Sequence, residues 1–201
     1  MKLYYAPGAC SLAPHITLRE AGTVFEAVET DLRAKTLPDG SDYLAVNPKG
    51  AVPALQLDDG DVLTENAALL QYISDMAPQA GLIPASGTAR YHVLEWLTYV
   101  SSELHKSFGP LWNPASGDDA KQAARDLLAK KFDYVQRALG DEPYLTGDSF
   151  TPADAYLFVM LNWTAMHGID LSRWPALVAL QQRIAARPAV QEAMRTEGLI
   201  Q

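Results

Sequence analysis

The pattern of apolar and polar positions divides the chain into two unlike parts. Residues 2–6 (KLYYA) predict a short strand, LAPHITLREAG at 12–22 predicts a helix that tolerates Pro14 in its first turn and stops at Gly22, and VFEAVETDL at 24–32 predicts a second strand. A strand, a helix and a strand within about 30 residues imply a parallel pair joined by a helical crossover. After a loop-rich stretch at 33–49 whose helix content stays open, ALQLDDGDVLTE reads as two short strands around Asp59-Gly60, a dipeptide suited to a tight hairpin. ENAALLQYISDMA follows with helical spacing at Leu69, Leu70, Ile73 and Met76 or Ala77. The order is therefore βαβ, then ββα.

Residues 78–88 (PQAGLIPASGT) carry Pro78, Gly81, Pro84 and Gly87, the composition of an interdomain linker. Beyond it every segment reads as helix, at 89–108, 118–139, 152–168 and 175–187, with a shorter piece after Pro188. In FTPADAYLF, Thr151 is a cap, Pro152 suits the first helical position and Asp154 stands where a capping-box acid belongs. The expected division is residues 1–77, a linker at 78–88, and an all-helical domain at 89–201.

Composition narrows the functional classes. A chain of 201 residues with 48% hydrophobic content is large enough to bury a proper core. With 24 acidic against 16 basic residues the formal net charge is −8, and no block of Lys and Arg stands out, which argues against nucleic acid as a partner. The longest apolar stretch, AYLFVMLNW at 155–163, is far shorter than the roughly 20 residues of a membrane-spanning helix. One cysteine makes no internal disulfide, and Pro7 and Gly8 interrupt the start before a signal-peptide core could form, so the expected location is a reducing cytoplasm.

That cysteine, Cys10, lies between the Pro7-Gly8 turn and the first helix. At a helix amino end, unpaired N–H groups and the helix dipole favour negative charge, so a lowered thiol pKa is expected. A buried structural cysteine is the alternative, although a turn-to-helix junction is a poor place to hide one. A dithiol redox motif requires a second Cys where Ala13 stands, so any disulfide must form with a small external thiol. His15, His92, His105 and His167 show no zinc-ligand spacing with Cys10, and no metal is expected.

Three further stretches offer binding groups. In NPKGAVPAL, Val52-Pro53 precedes a strand, and both a cis and an ordinary trans bond fit; a cis bond would present the Val52 N–H and C=O for strand-like pairing with a peptide. In LTENAALL, Glu65 and Asn66 open a helix whose N–H groups could hold a carboxylate while Glu65 pairs with an ammonium, or whose acid merely compensates the dipole. In RYHVLEWLTYVSSELHKSFGPLW, Thr98, Ser102 and His105 recur at helical spacing on a polar face, opposite a stripe of Val93, Leu97, Val100, Leu104 and Leu111. A solvated face explains that row equally well.

Taken together, YYAPGACSLAPHITLREAG, NPKGAVPAL, LTEN, ELHK and FTPADAYLF, in this order and spacing, resemble a bacterial beta-class glutathione S-transferase over essentially the whole chain. The resemblance implies an α/β plus all-α architecture, with a thioredoxin-like glutathione-binding domain followed by a helical domain that lines an electrophile pocket and a homodimer interface. It implies glutathione as co-substrate, a small apolar electrophile as the second substrate, and conjugation as the reaction, with thiol exchange or peroxide reduction through a Cys10 mixed disulfide as further activities. A non-catalytic ligand- or protein-binding relative is the alternative.

Carried over residue by residue, the resemblance places Cys10, Ser11 and His105 at the reacting sulfur. It places Lys35 at a carboxylate, Val52 with Pro53 at the cysteinyl backbone through a cis bond, and Glu65 with Asn66 at the γ-glutamyl end. Thr98, Ser102, Glu103, Leu104, His105 and Lys106 are implied as further contacts, some across the dimer. Thr98 stands where relatives often carry Asn, and Asn66 where many carry Ser. Tyr5 is ranked as core or secondary, because the beta class assigns no catalytic role to an amino-terminal tyrosine. The acceptor side is expected near Trp112, Trp163 and His167.

Overall fold

The computed structural model describes residues 1–201. Its first part is a four-stranded sheet, β1 (Lys2–Tyr5), β2 (Glu26–Glu29), β3 (Ala54–Gln56) and β4 (Val62–Thr64), in the order β2-β1-β3-β4. β1 pairs parallel with β2 in the register Leu3 to Ala27, and antiparallel with β3 in the register Leu3 to Leu55. The hairpin β3–β4 turns at Asp59-Gly60, with Leu55 opposite Leu63. β1 is central, and Leu3, Tyr4 and Tyr5 are all buried, as expected of a strand covered on both faces.

The two faces have different covers. Leu3 and Leu55 join the main core with Leu12 and Ile16 of α1 (Leu12–Glu20) and Leu69 and Ile73 of α2 (Asn66–Met76). On the other face, Tyr4 and Ala54 pack with Tyr43 and Val52 in a small cluster of their own. Tyr43 comes from the stretch left open by sequence. It forms no α-helix, only the bridges Asp31–Thr36 and Thr36–Asp42 and a 3-10 turn at Tyr43–Ala45.

The second part contains α3 (Thr88–Tyr99), which continues as a π-helical segment at Val100–His105, then α4 (Gly109–Trp112), α5 (Asp118–Leu139), α6 (Pro152–Met166), α7 (Pro175–Ala185) and α8 (Pro188–Thr196). The uniform helix expected at 89–108 is thus corrected, and α4 was not anticipated. Where the α3 ladder widens, the Glu103 carbonyl accepts from the Ser107 hydroxyl at 2.6 Å and from Lys131 Nζ at 2.8 Å, so its hydrogen bonding is satisfied outside the normal pattern.

α6 is apolar around its whole circumference and nearly all of it is buried, the mark of a central helix. Its start carries the expected capping box: the Thr151 N–H donates to Asp154 Oδ2 at 2.8 Å, as does the Thr151 hydroxyl, and the Leu145 N–H donates to Oδ1 at 2.8 Å. α1 packs against α6 and α8 as well as the sheet, so the loop leading into α1 is held from both parts of the chain.

Candidate active site

A cleft of about 710 Å³ lies where the Ala6–Cys10 turn, the Asn47–Pro53 loop and the start of α2 face the π segment and α6. Residues from both parts of the fold line it, with polar groups gathered on the sheet side and Trp112, Trp163 and Met166 on the helical side. No group of three or more His, Cys, Asp or Glu side chains is placed to hold a metal ion.

The turn before Cys10 is fixed by its main chain. Gly8 adopts φ +67°, a left-handed conformation that favours glycine, its N–H donates to Glu197 Oε2 at 2.9 Å, and its carbonyl accepts from Trp163 Nε1 at 2.8 Å. The Ser11 hydroxyl bridges the Ala6 N–H and carbonyl at 3.1 and 3.3 Å. Ser11 is fully buried, and its hydroxyl is committed to closing the turn. The backbone N–H groups of Cys10 and Ser11, by contrast, donate to no protein acceptor at this helix start.

The Cys10 thiol lines the cleft and donates to the Val52 carbonyl at 3.2 Å. Burial pushes it up to about 12, against smaller lowering influences from its own backbone N–H, Asn66 and Lys106. The expected lowered pKa is therefore corrected for the free protein. Helix-end stabilisation of a thiolate requires that charge be acceptable where it sits, and here the loss of solvent outweighs the dipole.

The Val52–Pro53 bond is cis, both residues line the cleft, and the Val52 N–H has no acceptor within the protein. Glu65 precedes α2 with φ +72°, an uncommon conformation for a residue with a side chain, and its carboxylate meets Lys49 Nζ at 2.5 Å. That ion pair holds the Glu65 carboxyl below its usual range. Asn66 Nδ2 donates to the Cys10 carbonyl at 3.0 Å, tying the start of α2 to the thiol loop, while its buried Oδ1 has no partner. Lys35 does not line the cleft; its ammonium donates to the Gly50 carbonyl at 2.7 Å and supports the loop from behind.

From the second part of the chain, Ser101, His105 and Lys106 line the cleft. Thr98, Ser102, Glu103 and Leu104 do not. Thr98 and Ser102 hydrogen-bond back to the carbonyls of Leu94 and Thr98, Glu103 pairs with Lys131 Nζ at 2.7 Å, and Leu104 is in the core. Ser101 and His105, four residues apart, meet the cleft from the π segment, whereas Thr98 and Ser102 are exposed on another side. His105 Nδ1 lies 2.7 Å from the Tyr156 hydroxyl, and burial pushes the imidazole down to about 4.

On the helical side Trp163 meets His105, Phe108 and Trp112 edge-on at 5.1 to 5.3 Å between ring centroids. His167 lies behind, edge-on to Trp112 at 4.3 Å, rather than on the cleft wall. Tyr5 is buried against His15 and takes no part. Lys49, Ser101 and Tyr156 are among the cleft residues that escaped the sequence reading. Lys49 had a usable signal, being the only cation in the NPKGAVPAL loop. Tyr156 had none, hidden within an apolar run.

Comparison with known proteins gives a consistent result. Residues 8–76 match the glutathione S-transferase N-terminal domain family and residues 91–188 the glutathione S-transferase C-terminal domain family. The chain is 50% identical over 200 residues to glutathione S-transferase GstA of Escherichia coli O157:H7, covering 99% of this chain and 100% of that protein. Among solved structures, a ternary complex of BphK, a bacterial GST, superposes with a TM-score of 0.96 at 56% identity, covering 99% of this chain and 100% of that one. A sphingomonad glutathione S-transferase complexed with glutathione superposes with a TM-score of 0.95 at 49% identity, with both chains fully covered.

Proposed function

The chain belongs to the glutathione S-transferase family, and from that premise we propose that it conjugates glutathione to small apolar electrophiles in the cleft beside Cys10. The observation that carries the reading is the meeting of the Cys10 thiol with Val52, whose N–H is unpaired, in a cleft that also holds the Lys49–Glu65 pair. A γ-linked tripeptide fits this order of groups. Its cysteinyl backbone pairs with Val52, its γ-glutamyl ammonium and carboxylate meet Glu65 and the start of α2, and its glycyl carboxylate lies toward Lys49 and the loop supported by Lys35. The glutathione sulfur then lies beside Cys10, under the free N–H groups of Cys10 and Ser11.

In conjugation the glutathione thiol gives up its proton to solvent, its sulfur electron pair forms a bond to the electrophilic carbon, and the leaving group departs with the pair from the broken bond. Donors around the sulfur favour the anion, and Trp112, Trp163 and Met166 offer an apolar wall for the electrophile. Ionisation contributes little beyond that. Lowering a thiol pKa by about two units raises its ionised fraction about 25-fold and lowers its intrinsic reactivity about tenfold. Holding the two reactants side by side is the larger source of rate.

Cys10 adds a second use of the same cleft. Exchange with a mixed disulfide of glutathione and a second thiol forms Cys10–S–S–glutathione and releases that second thiol, and a free glutathione then restores the Cys10 thiol and leaves as glutathione disulfide. We further propose that the protein works as a homodimer in the cytoplasm, with the exposed Thr98, Ser102 and Glu103 side turned toward the partner. Equilibrium glutathione binding and conjugation of a halonitroaromatic substrate test the reading. The wild type is expected to do both, and Cys10→Ala to conjugate while losing thiol exchange. A protein that binds no glutathione is instead the non-catalytic relative.

A further inference from the structure

Tyr156 projects from α6 toward the π segment, and its hydroxyl lies 2.7 Å from His105 Nδ1. The residue is 1% exposed, and Nδ1 is the one acceptor in hydrogen-bond contact with its hydroxyl. A buried phenolic hydrogen needs an acceptor, because left unpaired it bears the whole loss of its water contacts. The phenol oxygen makes no other hydrogen bond in the structure, so an Nδ1 that donated would leave the phenolic hydrogen without an acceptor. Nδ1 must therefore accept, and the single proton of the neutral imidazole is carried by Nε2.

Nε2 has no hydrogen-bond partner in the protein, and it is not among the sealed polar atoms, so it opens to the cleft that His105 lines. The ring is also held edge-on by Trp163, at 5.1 Å and 75°. We infer that Tyr156 is a positioning residue: its hydroxyl fixes His105 as the Nε2–H tautomer and aims that N–H into the cleft as a donor to the glutathione sulfur. The destination of the donor rests on the transferase reading above, whereas the tautomer rests on the hydrogen bond alone. The opposite tautomer would present a bare nitrogen lone pair to a sulfur anion and repel it.

Imidazole 15N spectra of the free wild-type protein at neutral pH test the tautomer, with His105 assigned by its loss in His105→Gln. The expected signature is a protonated Nε2 and a hydrogen-bonded, unprotonated Nδ1. In Tyr156→Phe the Nδ1 hydrogen-bond shift is expected to disappear, and kcat for conjugation to fall about tenfold while the KM for glutathione stays within about twofold. A wild-type spectrum with the proton on Nδ1 overturns the inference and needs no variant. A Tyr156→Phe enzyme whose kcat stays within about twofold of wild type overturns the positioning role. Failure of the wild type to conjugate any electrophile overturns the proposed function instead, while the spectrum still decides the tautomer.

Discussion

Glu197 and Gly8, 189 residues apart, are joined by a hydrogen bond of 2.9 Å from the Gly8 N–H to the carboxylate. The other carboxylate oxygen meets His15 Nδ1 at 2.8 Å, and both side chains are fully buried. Arg19 Nε donates to His15 Nε2 at 3.3 Å, so the proton of a neutral His15 is on Nδ1, directed at Glu197. The end of α8 thereby holds the turn that presents Cys10, and the first and last helices of the chain meet beside it.

Removing that carboxylate should be costly. Glu197→Ala leaves the Gly8 N–H and the His15 N–H buried without acceptors, and a loss of about 3–5 kcal/mol is expected. Glu197→Gln keeps an oxygen for Gly8 and should lose roughly half as much. Urea unfolding measures both. Equal stability of Glu197→Ala and wild type would show that the contact carries no weight.

The Cys10 thiol, pushed up to about 12 by burial, should be a slow nucleophile in the free enzyme. At pH 7 about one molecule in 10⁵ would carry the thiolate, against about 3% for an ordinary cysteine. Alkylation by iodoacetamide should therefore rise about tenfold per pH unit through pH 9 with no plateau. Levelling off near pH 8 would mean that solvent or a partner charge reaches the sulfur more freely than its surroundings indicate.

Much of the fold and the core of the site were legible in the sequence, for identifiable reasons. α5 was read at 118–139 and occupies Asp118–Leu139, because a long amphipathic surface helix imposes its period on the chain. Thr151, Pro152 and Asp154 announced α6 because capping is local chemistry. The placement of Cys10 at a turn, and of Glu65 and Asn66 at a helix start, was visible for the same reason. What was not legible depends on long-range packing. A π segment has no local signature, and which of Thr98, Ser101, Ser102 and His105 meet the cleft is settled by packing rather than by spacing. The raised Cys10 pKa follows from what covers the thiol, and the use of the Ser11 hydroxyl follows from the path of Ala6, neither of which residue spacing reveals.

Glu65 should contribute to binding rather than to folding. Its pair with Lys49 is largely exposed, with side-chain exposures of 52% for Lys49 and 72% for Glu65, and such pairs contribute about 0–1 kcal/mol to stability. A charged hydrogen bond to the ligand ammonium is worth about 1.5–3 kcal/mol. Glu65→Gln should therefore raise the KM for glutathione about 10- to 100-fold with the unfolding midpoint nearly unchanged. A shift of similar size in stability would make Glu65 a structural residue.

Two buried groups should make stability depend on pH in opposite senses. His105 is pushed down to about 4 from an ordinary value of 6.5, so the unfolded chain takes up a proton first. Its contribution is complete above pH 6.5 and is lost as pH falls toward 4, by up to about 3 kcal/mol. Asp154 is pushed up to about 6 from an ordinary value of 3.8, so the folded chain takes up the proton first. Its contribution is complete below pH 3.8 and is lost as pH rises through 6, again by up to about 3 kcal/mol. The wild type should therefore change little in stability between pH 4.5 and 6, because the two slopes offset. His105→Gln removes one slope and should become less stable as pH rises across that window. Asp154→Asn removes the other and should become more stable as pH rises, although its absolute stability falls with the weakened capping box. Parallel pH profiles for wild type and both variants, followed by urea midpoints at each pH, would show that neither group titrates where its burial requires.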